Sequence, residues 1–238
     1  MRLNKFISDT GTCSRREADA WIEAGRVTIN GEVAKLGTQV GEGDAVCVDG
    51  NPIGAKKAPV YIVLNKPAGV TCTTERDVPG NIADHVGHGE RIFPIGRLDK
   101  DSDGLILLTN DGDIVNRVLR AEHAHEKEYV VTVDMPVTPI FLQGMAQGVR
   151  MLGTVTRPCR TKRAGPCVFR IVLTQGLNRQ IRRMCSFYGY KVVRLQRVRI
   201  MHIELGALAS GKWRDLTAAE RTELLAQCAG LRDPSTVR

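Results

Sequence analysis

The chain has 238 residues, 25% of them charged, and 34 Lys plus Arg against 26 Asp plus Glu give it a formal net charge of +8. That length accommodates one or two domains of about 100–200 residues, and 42% apolar content excludes a disordered tail, a collagen-like fibre and a coiled coil. No apolar run approaches the ~20 residues that span a bilayer, and the N-terminal run MRLNKFISDTGTCSRRE lacks the apolar segment of a secretory signal. A cytoplasmic protein without membrane contact is expected.

Along the chain, Arg2 to Asp9 is a short amphipathic helix with Leu3, Phe6 and Ile7 on one face, ended by Gly11. Ser14-Arg15-Arg16-Glu17 is a capping box that opens a second helix with Ala18, Trp21 and Ile22 as its stripe. Arg26 to Ile29 reads as a strand, Asn30-Gly31 as a hairpin turn, and Ala45 to Val48 as a further strand. Residues 1–50 therefore form a small α-plus-β module, followed by a polar, turn-rich linker over 51–59 and a larger domain over 60–238.

In that larger domain Tyr61 to Leu64 is a buried strand stopped by Asn65-Lys66-Pro67-Ala68-Gly69, where Lys66-Pro67 reads as a structural loop. Leu105 to Thr109 is a second strand, followed by a helix carrying Ile114, Val115, Val118 and Leu119. Tyr129 to Val133 is β-rich and Ile140 to Ala146 helical. Strands are expected near Thr154 to Arg160, Cys167 to Thr174 and Val192 to Ile203, with a helix over Asn178 to Phe187 and a terminal helix capped by Thr217-Ala218-Ala219-Glu220. The fold class is α+β, with a mostly antiparallel central sheet.

Charge is segregated. Between Met135 and Ile203 stand 13 Lys or Arg and no acid, so those 69 residues carry +13 and the other 169 carry −5. Such a field suggests a polyanionic partner. The seven cysteines, odd in number and without a CxxC pair, read as reduced packing thiols. Neither His85-x-x-His88 nor His123-x-His125 has further ligands at metal spacing, and no glycine-rich phosphate cradle is present, so neither metal nor organic cofactor is expected.

Two constellations carry chemistry. In FPIGRLDKDSDGLILLTNDG, Phe93 to Gly112, Asp101 and Asp103 read as turn formers. Asp99 stands apart, beside apolar Leu98 and two residues after Arg97. A carboxylate kept ionised by a cation suits a nucleophile or general base. In GLNRQIRRM, Gly176 to Met184, Arg179 shares a helical face with Arg182 or Arg183, and arginine offers bidentate anion contacts.

The run RLNKFISDTGTCSRREADAWIEAGRVTINGEVA resembles an S4 RNA-binding domain. LNKPAGV, GRLDKDSDGLILLTNDG, KEYVV and GLNRQIRRM, in that order, closely resemble the pseudouridine synthases of the RsuA/RluB/RluE/RluF group, and GLNRQIRRMC and HEKEY are most similar to its F type. The resemblance implies isomerisation of uridine to pseudouridine in large-subunit (23S) ribosomal RNA and also in a tRNA, without cofactor or metal, by a monomer that does not use DNA. It implies Asp99 as the catalytic aspartate, Tyr129 against the target uracil and Arg182 paired with Asp99. Arg97 would fill the place of the flipped nucleotide, Ile181 would wall the pocket, and Leu98, Lys100, Arg179 and Gln180 would meet RNA. Arg2, Lys5, Arg15, Arg16 and Arg26 of the S4-like module suit phosphate contacts. Two other classes compete: a non-catalytic RNA-binding or ribosome-assembly protein on the same fold, which has no need of Asp99, and a metal-dependent nuclease, which needs convergent carboxylates.

Overall fold

The computed structural model describes residues 1–75, 77–120 and 123–229, and these divide into two compact units. The first contains Met1–Val60 with the short segments His88–Ile92 and Asn110–Gly112. Helix α1 (Leu3–Asp9) buries Leu3 and Ile7 against α2 (Arg15–Glu23), which buries Ala18 and Ile22 and begins with the expected capping box: Ser14 Oγ accepts from the Glu17 N–H while the Glu17 carboxylate accepts from the Ser14 N–H. Strands β1 (Val27–Ile29), β2 (Glu32–Val33), β3 (Val46–Val48) and β4 (Asn51–Pro52) form a sheet in the order β2-β1-β3-β4. Asn30 and Gly31, at φ 53° and 86°, make the two-residue turn between β1 and β2, the backbone twist that a tight hairpin needs.

The expected linker begins later than 51. Asp49 and Gly50, at φ 50° and 77°, form a second turn of the same kind, and Asn51 and Pro52 pair with Val48 and Cys47. Proline is tolerated because β4 is an edge strand. Further on, the Asn110 side chain accepts from the Val60 N–H and donates to the Ala58 carbonyl.

The second unit is built on a nine-stranded sheet. In chain order its elements are β5 (Tyr61–Lys66), α3 (Ile82–Val86), β6 (Phe93–Ile95), β7 (Asp103–Thr109), α4 (Gly112–Leu119), β8 (Lys127–Val133) and α5 (Pro139–Gln147). A hairpin of β9 (Arg150–Met151) and β10 (Thr154–Val155) follows, then β11 (Arg160–Gly165), β12 (Val168–Leu173), α6 (Gln180–Phe187), β13 (Val192–Ile200), β14 (Ile203–Glu204), β15 (Trp213–Asp215) and α7 (Ala218–Ala229). The main sheet runs β11-β12-β8-β13-β7-β5-β15, with β14 on β13 and β6 on β7. The expected strand at Thr154 to Arg160 is two separate strands, and β11 is a basic, exposed edge whose cations suit an unpaired rim. The expected strand to Ile203 turns back at Met201, at φ 53°, to make the β13–β14 pair.

Two helical layers cover parts of this sheet. From α5 and α6, Phe141, Met145, Ile181, Met184 and Cys185 pack with Val131, Phe169, Ile171 and Leu195. From α4 and α7, Ile114, Val118, Leu224 and Cys228 pack with Val63, Leu105, Leu107 and Ile200. The two halves of the sheet meet at β7 and β13, which pair in parallel through Gln196 with Asp103 and Arg197 with Gly104, while the other described pairings are antiparallel. Glycine is required there: Gly104 has φ 104°, and a Cβ on it would lie 2.2 Å from the Arg197 carbonyl oxygen.

Candidate active site

The loop between β6 and β7 carries Asp99, and the surrounding backbone fixes it. The Ser102 N–H donates to the Asp99 carbonyl at 3.0 Å, closing a turn, and the Gly69 N–H donates to the Lys100 carbonyl at 2.7 Å. Gly69 is itself held from below. Lys66, fully buried at the end of β5, donates from Nζ to the carbonyls of Pro67 and Val70, both at 2.9 Å. Burial pulls the Lys66 ammonium below its usual range, against the nearby Cys72 and aspartates. The Leu98 N–H points to Cys72 Sγ at 3.4 Å. Lys66-Pro67 thus shapes the loop that seats the aspartate, while Lys66 itself lies within the strand.

A cleft of about 580 Å³ opens beside this loop. Its walls bring together Arg97, Leu98, Asp99, Tyr129, Arg179, Gln180 and Ile181, all singled out from the sequence, and exclude Lys100 and Arg182. Asp99 is the one carboxylate among its described lining residues. Tyr129 stands on β8 opposite Arg197 of β13. Ile181 is buried in the α6 face, and Gln180 Oε1 accepts from the Leu177 N–H at 3.0 Å, which folds the start of that helix back on itself.

The arginines are arranged differently from expectation. Arg179 lies outside α6 as its N-cap, in the left-handed conformation at φ 47°, so it does not share a helical face with Arg182. From there its guanidinium reaches both Asp101, at 3.2 Å, and Asp99, at 3.6 Å. Arg182 pairs with Asp101 instead of Asp99: its Nη2 lies 3.3 Å from the carboxylate, 3.1 Å from the Asp101 carbonyl and 3.2 Å from Ser102 Oγ. One turn into α6, the side chain meets the outer flank of the Asp99 turn and stops there. Asp101 is accordingly more than a turn former. Although burial opposes it, the hydrogen bond from Arg179 and the charges of Arg182 and Arg179 hold its carboxyl below the usual range. Asp103 opens β7 and binds Arg194 at 2.7 Å.

Lys127, Gln175 and Arg197 also line the cleft, and no sequence motif marked them as site residues. Lys127 and Arg197 are 9% and 3% exposed. Burial, followed by the charge of Arg197, brings the Lys127 ammonium down to about 8. Arg197 donates from Nε to the Leu105 carbonyl at 2.7 Å and from Nη1 to the Arg97 carbonyl at 3.5 Å, while its Nη2 and the Gln175 Nε2 have no protein partner. The only available signal was strand alternation, which places Lys127 on the Tyr129 face of β8.

In the first unit, Lys5 pairs with Asp9 at 2.7 Å, and Arg26 binds Asp49 while its guanidinium sits over the Trp21 ring at 5.1 Å. Arg2, Arg15 and Arg16 are exposed. Among the described residues no helix is long and apolar enough to cross a membrane, and no group of three or more His, Cys, Asp or Glu is placed to hold a metal ion.

Residues 60–187 match the RNA pseudouridylate synthase family model and residues 1–46 match the S4 domain. The chain is 57% identical to the dual-specificity RNA pseudouridine synthase RluF of Salmonella typhi over 225 residues, covering 94% of this chain and 78% of that one. It is 33% identical to the ribosomal large subunit pseudouridine synthase B of Bacillus subtilis, over 94% of this chain and 96% of the other. A crystal structure of a pseudouridylate synthase superposes with a TM-score of 0.70 at 31% identity, covering 94% of this chain and 99% of that chain. The chain therefore belongs to the RNA pseudouridine synthase family, in the group of RsuA, RluB and RluF, and is an RNA-modifying isomerase with an S4 domain.

Proposed function

We propose that Asp99 is the catalytic carboxylate of this isomerase and that Tyr129 lies against the target uracil. The observation that supports this reading is the isolation of Asp99 as the one carboxylate among the described lining residues of a cleft otherwise rich in cations. Asp99 attacks the ribose C1′ or takes the C2′ proton. By either route the N1–C1′ bond breaks with its electron pair on the base, which turns and rejoins through C5. Arg179 holds its guanidinium 3.6 Å from that carboxylate. Arg182 acts one step back, by fixing the Asp101–Ser102 end of the turn. Arg97, exposed at the rim, takes the place the nucleotide vacates, and flipping costs a few kcal/mol that phosphate contacts offset. Leu98 and Ile181 supply apolar wall, and Gln180, Arg179 and Lys100 meet the RNA around it.

Residues 1–50 dock the RNA through Arg2, Arg15 and Arg16, with Lys5 and Arg26 joining once their carboxylate partners are displaced. The substrate we infer is a stem-loop of large-subunit ribosomal RNA, with a tRNA as a second one. This rests on the RluF relatives, named as dual-specificity enzymes. The enzyme works as a cytoplasmic monomer and needs neither cofactor nor metal. A nuclease reading is disfavoured because Asp101 and Asp103 are engaged by arginines. The test is Asp99→Asn, in which pseudouridine formation in cellular RNA should disappear while RNA affinity stays within about twofold. Turnover in that variant would overturn the assignment of Asp99.

A further inference from the structure

Lys127 and Arg197 are two nearly buried cations in the wall of the cleft that holds Asp99. Arg197 stands directly across from Tyr129 in the β8–β13 pairing, and Lys127 lies two residues before Tyr129 on the same face of β8. All three side chains therefore leave one face of the sheet. The partners of these cations are neutral. Lys127 Nζ donates to the His125 carbonyl at 3.2 Å, Arg197 donates to the carbonyls of Leu105 and Arg97, and Arg197 Nη2 has no protein partner. Buried charges are ordinarily paired, and leaving two beside each other is costly unless an anion comes to them.

We infer that Lys127 and Arg197 hold the negative charge that uracil carries while it is detached from ribose, by donating hydrogen bonds to its carbonyl oxygens. The inference rests on the reading of this cleft as the active site. When N1–C1′ breaks, the electron pair stays on the base, spread over N1, O2 and O4. C1′ is then bound to the Asp99 carboxylate, or joined to C2′ by a double bond after Asp99 has taken the C2′ proton. After the base turns, the pair at C5 forms the new C5–C1′ bond. Asp99 departs from C1′ or returns its proton to C2′, the C5 proton is lost to water, and N1 takes up a proton from water. Charge appears only after bond breaking begins, so donors fixed in a dry wall favour the transition state over bound uridine.

The test uses the full-length protein and total RNA from cells lacking it, grown with and without 5-fluorouracil so that the target is uridine or 5-fluorouridine. Arg197→Met and Lys127→Met should each lower the single-turnover rate of base rearrangement by about 10²–10³-fold, as loss of one oxyanion donor does. Half-saturation by RNA should hold steady. The penalty should shrink by about tenfold on fluorouridine RNA, because fluorine already stabilises the departing anion. Arg197→Lys should recover part of the loss, and it carries the test with Lys127→Arg if a Met variant melts early. An equal penalty on both RNAs would overturn the inference and leave Arg197 as a brace of the Asp99 loop. Raised half-saturation at an unchanged rate would overturn it in favour of a phosphate contact. Full turnover by Asp99→Asn would instead refute the underlying reading of the cleft.

Discussion

Within residues 1–50 the described ion pairs are short in sequence: Lys5 meets Asp9 four residues away, and Arg26 meets Asp49 across 23 residues. Around the acid-free stretch of the second unit they are long. Arg160 reaches Glu126 across 34 residues, Arg170 reaches Glu128 across 42, and Arg194 reaches Asp103 across 91. Arg199 bridges Glu126 and Glu128, and Arg179 and Arg182 meet on Asp101. Six cations of the acid-free stretch are thus matched with acids contributed by Asp99 to Glu128. The sheet and the start of α6 bring together what the chain keeps apart, so the +13 of that stretch overstates the field that RNA would meet. Its cations are better divided into those that hold the Asp99 loop, those that lace strands, and those in the cleft wall, where Arg197 stands with Lys127 from outside the stretch.

That division predicts unequal effects for arginines of equal charge. Arg182→Met removes the contacts to the Asp101 carbonyl, its carboxylate and Ser102 Oγ together. Displacing the Asp99 turn by a fraction of an ångström should lower the single-turnover rate by about 10²-fold with RNA affinity nearly unchanged. Arg194→Met loses one exposed pair with Asp103 and should cost less than about threefold, since an exposed pair contributes little. Similar losses in the two variants would show that net charge, and not the loop contact, is what matters.

The local unit should respond in affinity instead of rate. Arg15→Glu together with Arg16→Glu alters exposed cations on α2 that lie far from Asp99 in sequence. If both meet phosphates, RNA binding should weaken several-fold and the slope of log affinity against log salt should fall by about two. Rate at saturating RNA should be unchanged. An unaltered salt slope would remove both residues from the RNA contact surface and leave the docking role of residues 1–50 to other side chains.

Much of the fold was legible because its signals are local. The capping boxes at Ser14 and Thr217 and the Asn30-Gly31 turn stand as read. Asp49-Gly50 carried the same chemistry and was passed over within a polar stretch, which moved the end of the first sheet. Strand β11 could not be read, since RTKRAG has no apolar alternation and owes its place to pairing with β12. At the site, the resemblance pointed to Asp99, Tyr129 and Arg179, which line one cleft, but which aspartate an arginine reaches depends on a left-handed φ at Arg179 and the path of one turn. Lys127 and Arg197 escaped notice because burial, not residue type, makes them unusual.

The smallest expected effect concerns the other local pair, at the start of α7. Glu220 accepts from Arg214 at 2.7 and 2.8 Å and from the Thr217 N–H at 2.8 Å, while Thr217 Oγ1 accepts from the Glu220 N–H. The bond from Arg214, opposed by partial burial and aided by Thr217, lowers the Glu220 carboxyl from 4.5 to about 2. Because the folded value lies below the unfolded one, the unfolded chain binds more protons between the two. The stabilisation is complete above about pH 5 and is lost as pH falls toward 2. Glu220→Gln keeps the capping geometry but removes the charge, so at pH 7 it should cost about 0.5–1 kcal/mol. Denaturant unfolding of wild type and variant should give curves that converge as the pH approaches 2. A difference independent of pH would mean that the cap and not the ion pair anchors α7, leaving the local pairs of this protein with a geometric role alone.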